Sequence, residues 1–389
     1  MIDPSKTELD SQSPPTGTPR PARYIMIGGF LGAGKTTAIS RLATHLVSQG
    51  RRVGLITNDL GSELVDTTTL RAKGFSTEEI LGGCFCCRFN SLTEAAGRLT
   101  ASTQPDVFIA EPVGSCTDLV ATVSYPLRRM YGADFSVAPL SVLVDPIRAA
   151  RVFGLEEGTK FSEKVAYIYR KQLEEADLIV INKSELISTE RMSRLKQALR
   201  EQFPRTDLIE ISARLNKGLD AWIEFLEGSV QGSGKAMEVD YEVYAEGEAL
   251  MGWLNATVQT ASRKGFDGNH FLKLLATEIQ CVLSGNRAEI AHLKMTLSPE
   301  FGLGELGVIN LVRNDWVPEL ASEISEPVES GQLIINLRAE AAPELLHEAV
   351  TQALRLAGEM VPHLFVRLEH LEHFRPRKPQ PTHRFTSPT

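Results

Sequence analysis

The sequence predicts an α/β fold, a mainly parallel sheet covered by helices on both faces, followed by a smaller α+β domain. Three observations predict it. Short apolar runs alternate with segments of helical periodicity through the first 227 residues, the pattern of successive βαβ units. A glycine-rich loop, Gly29-Phe30-Leu31-Gly32-Ala33-Gly34-Lys35-Thr36, joins the first apolar run to the first such helix. A Gly/Ser-rich stretch at 228–235 then breaks the pattern, and the order of elements changes beyond it.

The composition agrees with two globular domains. A chain of 389 residues exceeds what one hydrophobic core usually organises, and 42% hydrophobic with 23% charged residues suits a soluble protein. A net charge of -8 argues against a general affinity for nucleic acid or anionic membranes. No run approaches the roughly eighteen consecutive apolar residues of a membrane span. Residues 1–22 are rich in Pro, Ser and Thr without an apolar signal core, so they read as a disordered leader. Three of the five cysteines fall within four residues, where they make poor disulfide partners, so a reducing cytoplasm is the expected compartment.

In the first domain, 23–227, strands are expected at Tyr24 to Ile27, Val53 to Thr57, Val107 to Ala110, Leu140 to Val144, Leu178 to Ile181 and Leu208 to Ile211. Ile39, Leu42, Ala43, Leu46 and Val47 give the segment after the glycine loop a helical apolar face. The last helix carries Leu219, Trp222, Ile223, Phe225 and Leu226. A flexible linker spans 228–237. In the second domain, 238–375, a strand is expected near Tyr241 to Tyr244, and Met251 to Val258 is ambiguous between strand and helix. A helix at His270 to Leu283 precedes strands at Glu289 to Leu297, Gly307 to Val312 and Leu333 to Leu337, and a helix at Pro343 to Leu356. Residues 376–389, Pro-rich and basic, read as a disordered tail that does not pack.

The loop at 29–36 has the spacing G-x-x-x-x-G-K-T of a phosphate cradle, which makes the first domain a P-loop NTPase. Gly29, Gly32, Ala33 and Gly34 let backbone N–H groups turn toward phosphate oxygens, and the following helix adds its dipole. Lys35 would neutralise β/γ-phosphate charge, the Thr36 hydroxyl would bind Mg²⁺, and Thr37 lies toward the α-phosphate. Two acidic residues end strands nearby. Asp59 is a candidate Mg²⁺ or catalytic ligand, and Glu111, opening Glu111-Pro112-Val113-Gly114, is a candidate γ-phosphate sensor.

Asn182-Lys183-Ser184-Glu185 follows a late strand, where Asn-Lys-x-Asp reads guanine through its carboxylate. Glu185 keeps the acceptor chemistry with one more methylene, so guanine preference is expected. Ser212 and Ala213, after the next strand, would back the base through a main-chain N–H.

Cys84, Cys86 and Cys87, in Gly82-Gly83-Cys84-Phe85-Cys86-Cys87, can direct three thiolates at one soft ion such as Zn²⁺ or Cu⁺. Cys116 and Cys281 read as small buried hydrophobes. His363, Glu369, His370, Glu372, His373 and His383 form a loose set near the end, with His370 and His373 adjacent on a face if that segment is helical. It reads as solvated helix and tail.

Together these elements resemble the CobW-type branch of the metallochaperone GTPases, relatives of UreG, HypB and MeaB within the SIMIBI-class GTPases. The motifs carrying the resemblance are Gly28 to Thr37, Gly-Cys-x-Cys-Cys at 83–87, Glu111-x-x-Gly114 and Asn182-Lys183, in that order. It is strong over 23–227 and rests on element order alone over 238–360. It implies GTP and Mg²⁺ held by Lys35, Thr36, Asn182 and Lys183, a switch at Glu111 and Gly114, and Zn²⁺ or Co²⁺ on the three cysteines. It also implies action on a client metalloenzyme or as a homodimer, with slow GTP hydrolysis in the absence of that client. The chain departs from the family in having Asp59 where glutamate is usual, Glu185 for aspartate, and Pro112-Val113 in place of a threonine-rich turn. The competing expectations are a MeaB-like GTPase chaperone of a cofactor-dependent enzyme and a P-loop kinase of a small substrate.

Overall fold

The computed structural model describes residues 21–58, 60, 65–228, 236–301 and 305–388. Eight strands make the first sheet: β1 (Ala22–Gly29), β2 (Val53–Asn58), β3 (Ser76–Ile80), β4 (Val107–Glu111), β5 (Phe135–Val137), β6 (Ser141–Val144), β7 (Leu178–Ile181) and β8 (Asp207–Glu210). Their order is β3-β2-β4-β1-β6-β7-β8, with β5 also pairing β1, and every pairing is parallel. Parallel pairing requires crossovers. They are supplied by α1 (Lys35–Ser48), α2 (Val65–Ala72), α3 (Phe89–Thr103), α4 (Tyr125–Tyr131), α5 (Pro146–Val152), α6 (Glu163–Glu174) and α7 (Thr189–Gln202), while α8 (Leu219–Gly228) follows the last strand and packs on the sheet.

Alternation along β1 divides the core. Ile25 and Ile27 join Ile39, Leu42, Leu143 and Trp222 on one face, while Tyr24 and Met26 join Phe89, Phe108, Ile168 and Ile179 on the other. Burial on both faces explains why the central strands read as continuous apolar runs. The strand order reverses beside β1, so its carboxyl end opens the crevice where α/β sheets bind ligands.

The second sheet is antiparallel, in the order β12-β11-β10-β13-β9-β14. Its strands are β9 (Met251–Phe266), β10 (Glu289–Pro299), β11 (Gly307–Leu311), β12 (Glu319–Ser322), β13 (Val328–Glu340) and β14 (Phe365–Phe374). Helices α10 (Gly268–Gly285) and α11 (Pro343–Met360) pack an apolar core of Phe271, Leu275, Ile279, Leu346, Val350 and Ala353 against it.

Four expectations change. Tyr241 to Tyr244 is not a strand but the first turn of α9 (Tyr241–Leu250), because the Asp240 carboxylate accepts from the Glu242 and Val243 N–H groups at 2.9 and 3.2 Å. Met251 to Val258 opens β9. His370 and His373 lie on β14, not on a helix, so a spacing of three does not align them. His373 instead meets the His347 ring at 5.1 Å. The segment from 376 is not a free tail, since its backbone is hydrogen-bonded to the cysteine loop and to Ala121.

Candidate functional site

The glycine loop joins β1 to α1 with φ of +132°, +79° and +87° at Gly29, Gly32 and Gly34. A Cβ on Gly29 would lie 2.4 Å from the Leu143 carbonyl oxygen, and one on Gly34 would lie 2.5 Å from Asn182 Nδ2. These positions therefore require glycine on both conformational and steric grounds. Gly34 gives α1 no side-chain cap, so the helix offers its first N–H groups to an anion.

Lys35 is buried and donates to the Gly29 carbonyl at 3.0 Å, with Glu111 Oε1 3.9 Å away. Burial lowers its pKa, and the nearby Glu111 and Asp66 carboxylates oppose that. Glu111 ends β4 and is buried. Burial foremost, then the Asp66 charge, raises its carboxyl to about 7 against the pull of Lys35. The Thr36 hydroxyl lies 3.2 Å from Glu111 Oε1 and also against Asp66, so its one hydrogen serves one carboxylate at a time. Glu111 Oε2 is buried without a hydrogen-bond partner among the described residues. Thr36, Asp66 and this orphaned oxygen form the hard oxygen set that suits Mg²⁺. The candidate Asp59 lies outside the described residues. Asp66, seven residues later, was not singled out from the sequence because nothing in its spacing marks it.

These groups open onto a cavity of about 500 Å³, which Thr37 also lines. At its far end, Asn182 Nδ2 donates to the Ala33 carbonyl at 2.9 Å, and Asn182 Oδ1 accepts from Ala213 N–H at 3.0 Å. Lys183, at φ +56°, reaches back to the Gly32 carbonyl at 2.7 Å and to Asp145 at 3.0 Å. Glu185 is exposed on a short turn at the cavity wall. Ser212 does not join them through its side chain, whose oxygen accepts from Leu215 N–H at 3.1 Å.

The cavity has a second wall that sequence reasoning missed. His292 and Lys294 of β10 and Asn336 of β13 line it from the antiparallel sheet, and Trp316 lines it from the segment between β11 and β12. Lys294 Nζ lies 3.1 Å from Thr36 Oγ1 and pairs with Asp66. Asn336 Oδ1 accepts from Val65 N–H at 3.1 Å, at the start of the helix carrying Asp66. The polar positions of β10 were the available signal, but alternation alone cannot separate a solvent face from a domain contact.

The cysteine loop hangs beside the cavity. Cys84 Sγ is 2.8 Å from Cys86 Sγ and 3.1 Å from Cys87 Sγ, with 3.7 Å between the latter two. Cys116 is buried, as expected, and acts on the Cys84 thiol as well. Donation from Cys116, then from Cys86 and Cys87, holds Cys84 well below the usual thiol range. Bonding to Cys84 pushes Cys86 up, and Cys87 to about 11. Cys281, expected to be buried, is exposed. Two routes tie this cluster to the cavity, one through side-chain hydrogen bonds and one along the chain itself. Asn58, at the end of β2 in the cavity wall, donates to the Ile80 and Gly83 carbonyls at 3.0 and 2.7 Å. Glu111 leads in five residues to Cys116, where Gln172 Nε2 grips the Gly114 and Cys116 carbonyls at 3.0 and 2.9 Å.

Residues 23–210 match the model of the CobW/HypB/UreG nucleotide-binding domain. Over these residues the first domain is similar to the CobW/HypB/UreG type. The zinc chaperone CobW of Sinorhizobium sp is 28% identical over 226 residues, 51% of this chain and 63% of that protein. The zinc chaperone YeiR of Escherichia coli (strain K12) is 32% identical over 179 residues, 45% of this chain and 50% of that protein. The chain thus spans between half and two thirds of the length of these relatives. Among solved structures, hydrogenase maturation factor HypB from Archaeoglobus fulgidus aligns at 24% identity with a TM-score of 0.36, covering 53% of this chain and 89% of that one. Among the described residues no helix is long and apolar enough to cross a membrane.

Proposed function

We propose that this chain is a GTP-binding and GTP-hydrolysing metallochaperone that couples nucleotide state to holding a transition metal, zinc or cobalt, for a client protein. One observation carries the reading: Asn58 stands in the wall of the nucleotide cavity and at the same time holds the Gly83 carbonyl, next to Cys84. A change at the phosphate end is thereby felt at the thiol cluster without crossing a flexible linker.

In this reading Lys35 and the N–H groups of α1 hold the phosphates, and Thr36, Asp66 and Glu111 hold Mg²⁺, which would offset charge on the terminal phosphate. Asn182, Lys183 and Glu185 take the base, with the Ala213 turn behind it. Cys84, Cys86 and Cys87, their sulfurs within 4.8 Å of one another, bind the cargo ion as soft donors. The relatives that are zinc chaperones favour zinc. The test is zinc affinity by chelator competition in the presence of GDP or of a non-hydrolysable GTP analogue. The two affinities are expected to differ about tenfold, within the usual range of coupling between sites. Equal affinities would sink the coupling.

A further inference from the structure

Among the described residues four lysines line the cavity, Lys35, Lys73, Lys183 and Lys294, and only Lys35 belongs to the P-loop. Lys294 comes from the middle of β10, whose register sets it opposite Asn336 of β13. Its ammonium lies 3.1 Å from Thr36 Oγ1 and pairs with Asp66, and its side chain is only 15% exposed. Asn336, through Val65 N–H, fixes the start of α2 and so the place of Asp66. The second domain therefore reaches the P-loop threonine with a positive charge, on a strand anchored at both neighbours.

We infer that Lys294 is a nucleotide-contacting residue that recognises the terminal phosphate of a nucleoside triphosphate. Thr36 and Asp66 are the oxygens that Mg²⁺ would take, and an ammonium and a divalent cation repel each other when held at the same two oxygens. When nucleotide and Mg²⁺ bind, the ammonium leaves those oxygens. The nearest new anion within reach of its four-carbon stem is the terminal phosphate. A diphosphate, one phosphate shorter, places no anion there. Lys294 thus ties the second domain to the triphosphate and leaves it less firmly held with the diphosphate, which turns hydrolysis into a change at the domain contact.

This inference rests on the GTP-binding reading, and the experiment separates the two. Affinities for GDP and for a non-hydrolysable GTP analogue, both with Mg²⁺, are measured on the full chain and on Lys294→Gln and Lys294→Arg. Lys294→Gln is expected to lose about tenfold or more for the analogue and less than about twofold for GDP, the size of one hydrogen bond to a charged group. Lys294→Arg, which keeps the charge, is expected to recover most of the loss. Equal weakening of both nucleotides would reduce Lys294 to a structural contact, and tightening of both would make it a mere occluder. Either result overturns the inference, as does an unchanged Gln variant. If the Gln variant does not fold, the Arg variant decides alone: a discrimination between the two nucleotides below a fifth of the original overturns the inference, and one at or above it supports it. A parent chain that binds neither nucleotide would instead overturn the GTP-binding reading.

Discussion

Arg313 and Asp145 form a buried ion pair across the two domains, with Nη1 3.1 Å from Oδ1 and side chains 2% and 3% exposed. Asp145 also accepts from Ile147 and Arg148 N–H at the start of α5 and takes Lys183 Nζ at 3.0 Å. One carboxylate therefore joins the Asn182-Lys183 loop, the first sheet and the second domain. Removing one member of a buried pair leaves a charge poorly solvated. Arg313→Met is expected to lower unfolding stability by about 3 kcal/mol, the low end for such a loss because Lys183 stays. Chemical denaturation at neutral pH measures it.

The same pair sets an acid limit. Burial pushes the Asp145 carboxyl up, but Lys183 and Arg313 outweigh it and hold it at about 2. A depressed carboxyl contributes stability that is complete above its unfolded value near 4 and is lost as pH falls through about 2. In Arg313→Met the folded value rises, so the acid-unfolding midpoint moves to higher pH. A midpoint that does not move would show that Lys183 suffices.

The thiol cluster predicts a graded zinc series. Cys84→Ala, Cys86→Ala and Cys87→Ala each remove a thiolate and are expected to weaken zinc at least about a hundredfold in chelator competition. Cys116→Ala, one thiol further from the exposed edge, is expected to weaken it about tenfold, the usual range for groups that support a ligand. Affinity should also climb with pH, because each thiol must shed its proton to bind. If zinc affinity survives loss of all three loop cysteines, the thiol site is wrong.

The terminal segment predicts control of access to those thiols. Gln380 N–H lies 3.2 Å from Cys87 Sγ, Thr382 N–H donates to the Cys86 carbonyl at 2.8 Å, and Arg384 holds Asp118 at 2.7 Å. Arg384→Ala should free the latch, so that thiol labelling and zinc exchange accelerate several-fold. Nucleotide affinity should stay unchanged, since none of these contacts lines the cavity.

The turn at 29–36, the placing of Asn182 and Lys183 at the cavity and the gathering of the three loop cysteines were legible because each depends on residues close in sequence. Gly29, Gly34 and Lys35 act through a local turn, and the buried strands announce themselves by apolar runs. Asp66, Lys294 and Cys116 were not legible, since their partners lie 30 to 258 positions away for Asp66 and Lys294, and a lone residue has no periodicity. The segment after Pro376 was misread for a related reason. It is held by main-chain hydrogen bonds and by Arg384, and a Pro-rich composition conceals both. The strand expected at Tyr241 failed because Asp240, a helix cap, outweighed the local alternation.

Asn58 offers the sharpest test of coupling. Its carboxamide nitrogen spans β3 and the cysteine loop by donating to the Ile80 and Gly83 carbonyls, and its oxygen is buried without a partner among the described residues. Asn58→Asp keeps the size but removes both donors and would set a carboxylate against two carbonyls. Asn58→Ala removes the bridge without that repulsion. In Asn58→Ala the cradle at 29–36 and the thiols are untouched, so GTP and zinc should each still bind to the separately measured proteins. What should disappear is the difference in zinc affinity between the GTP analogue and GDP. If the difference persists, the signal runs from Glu111 to Cys116 instead, and Gln172→Ala, which frees the Gly114 and Cys116 carbonyls, becomes the variant expected to abolish it.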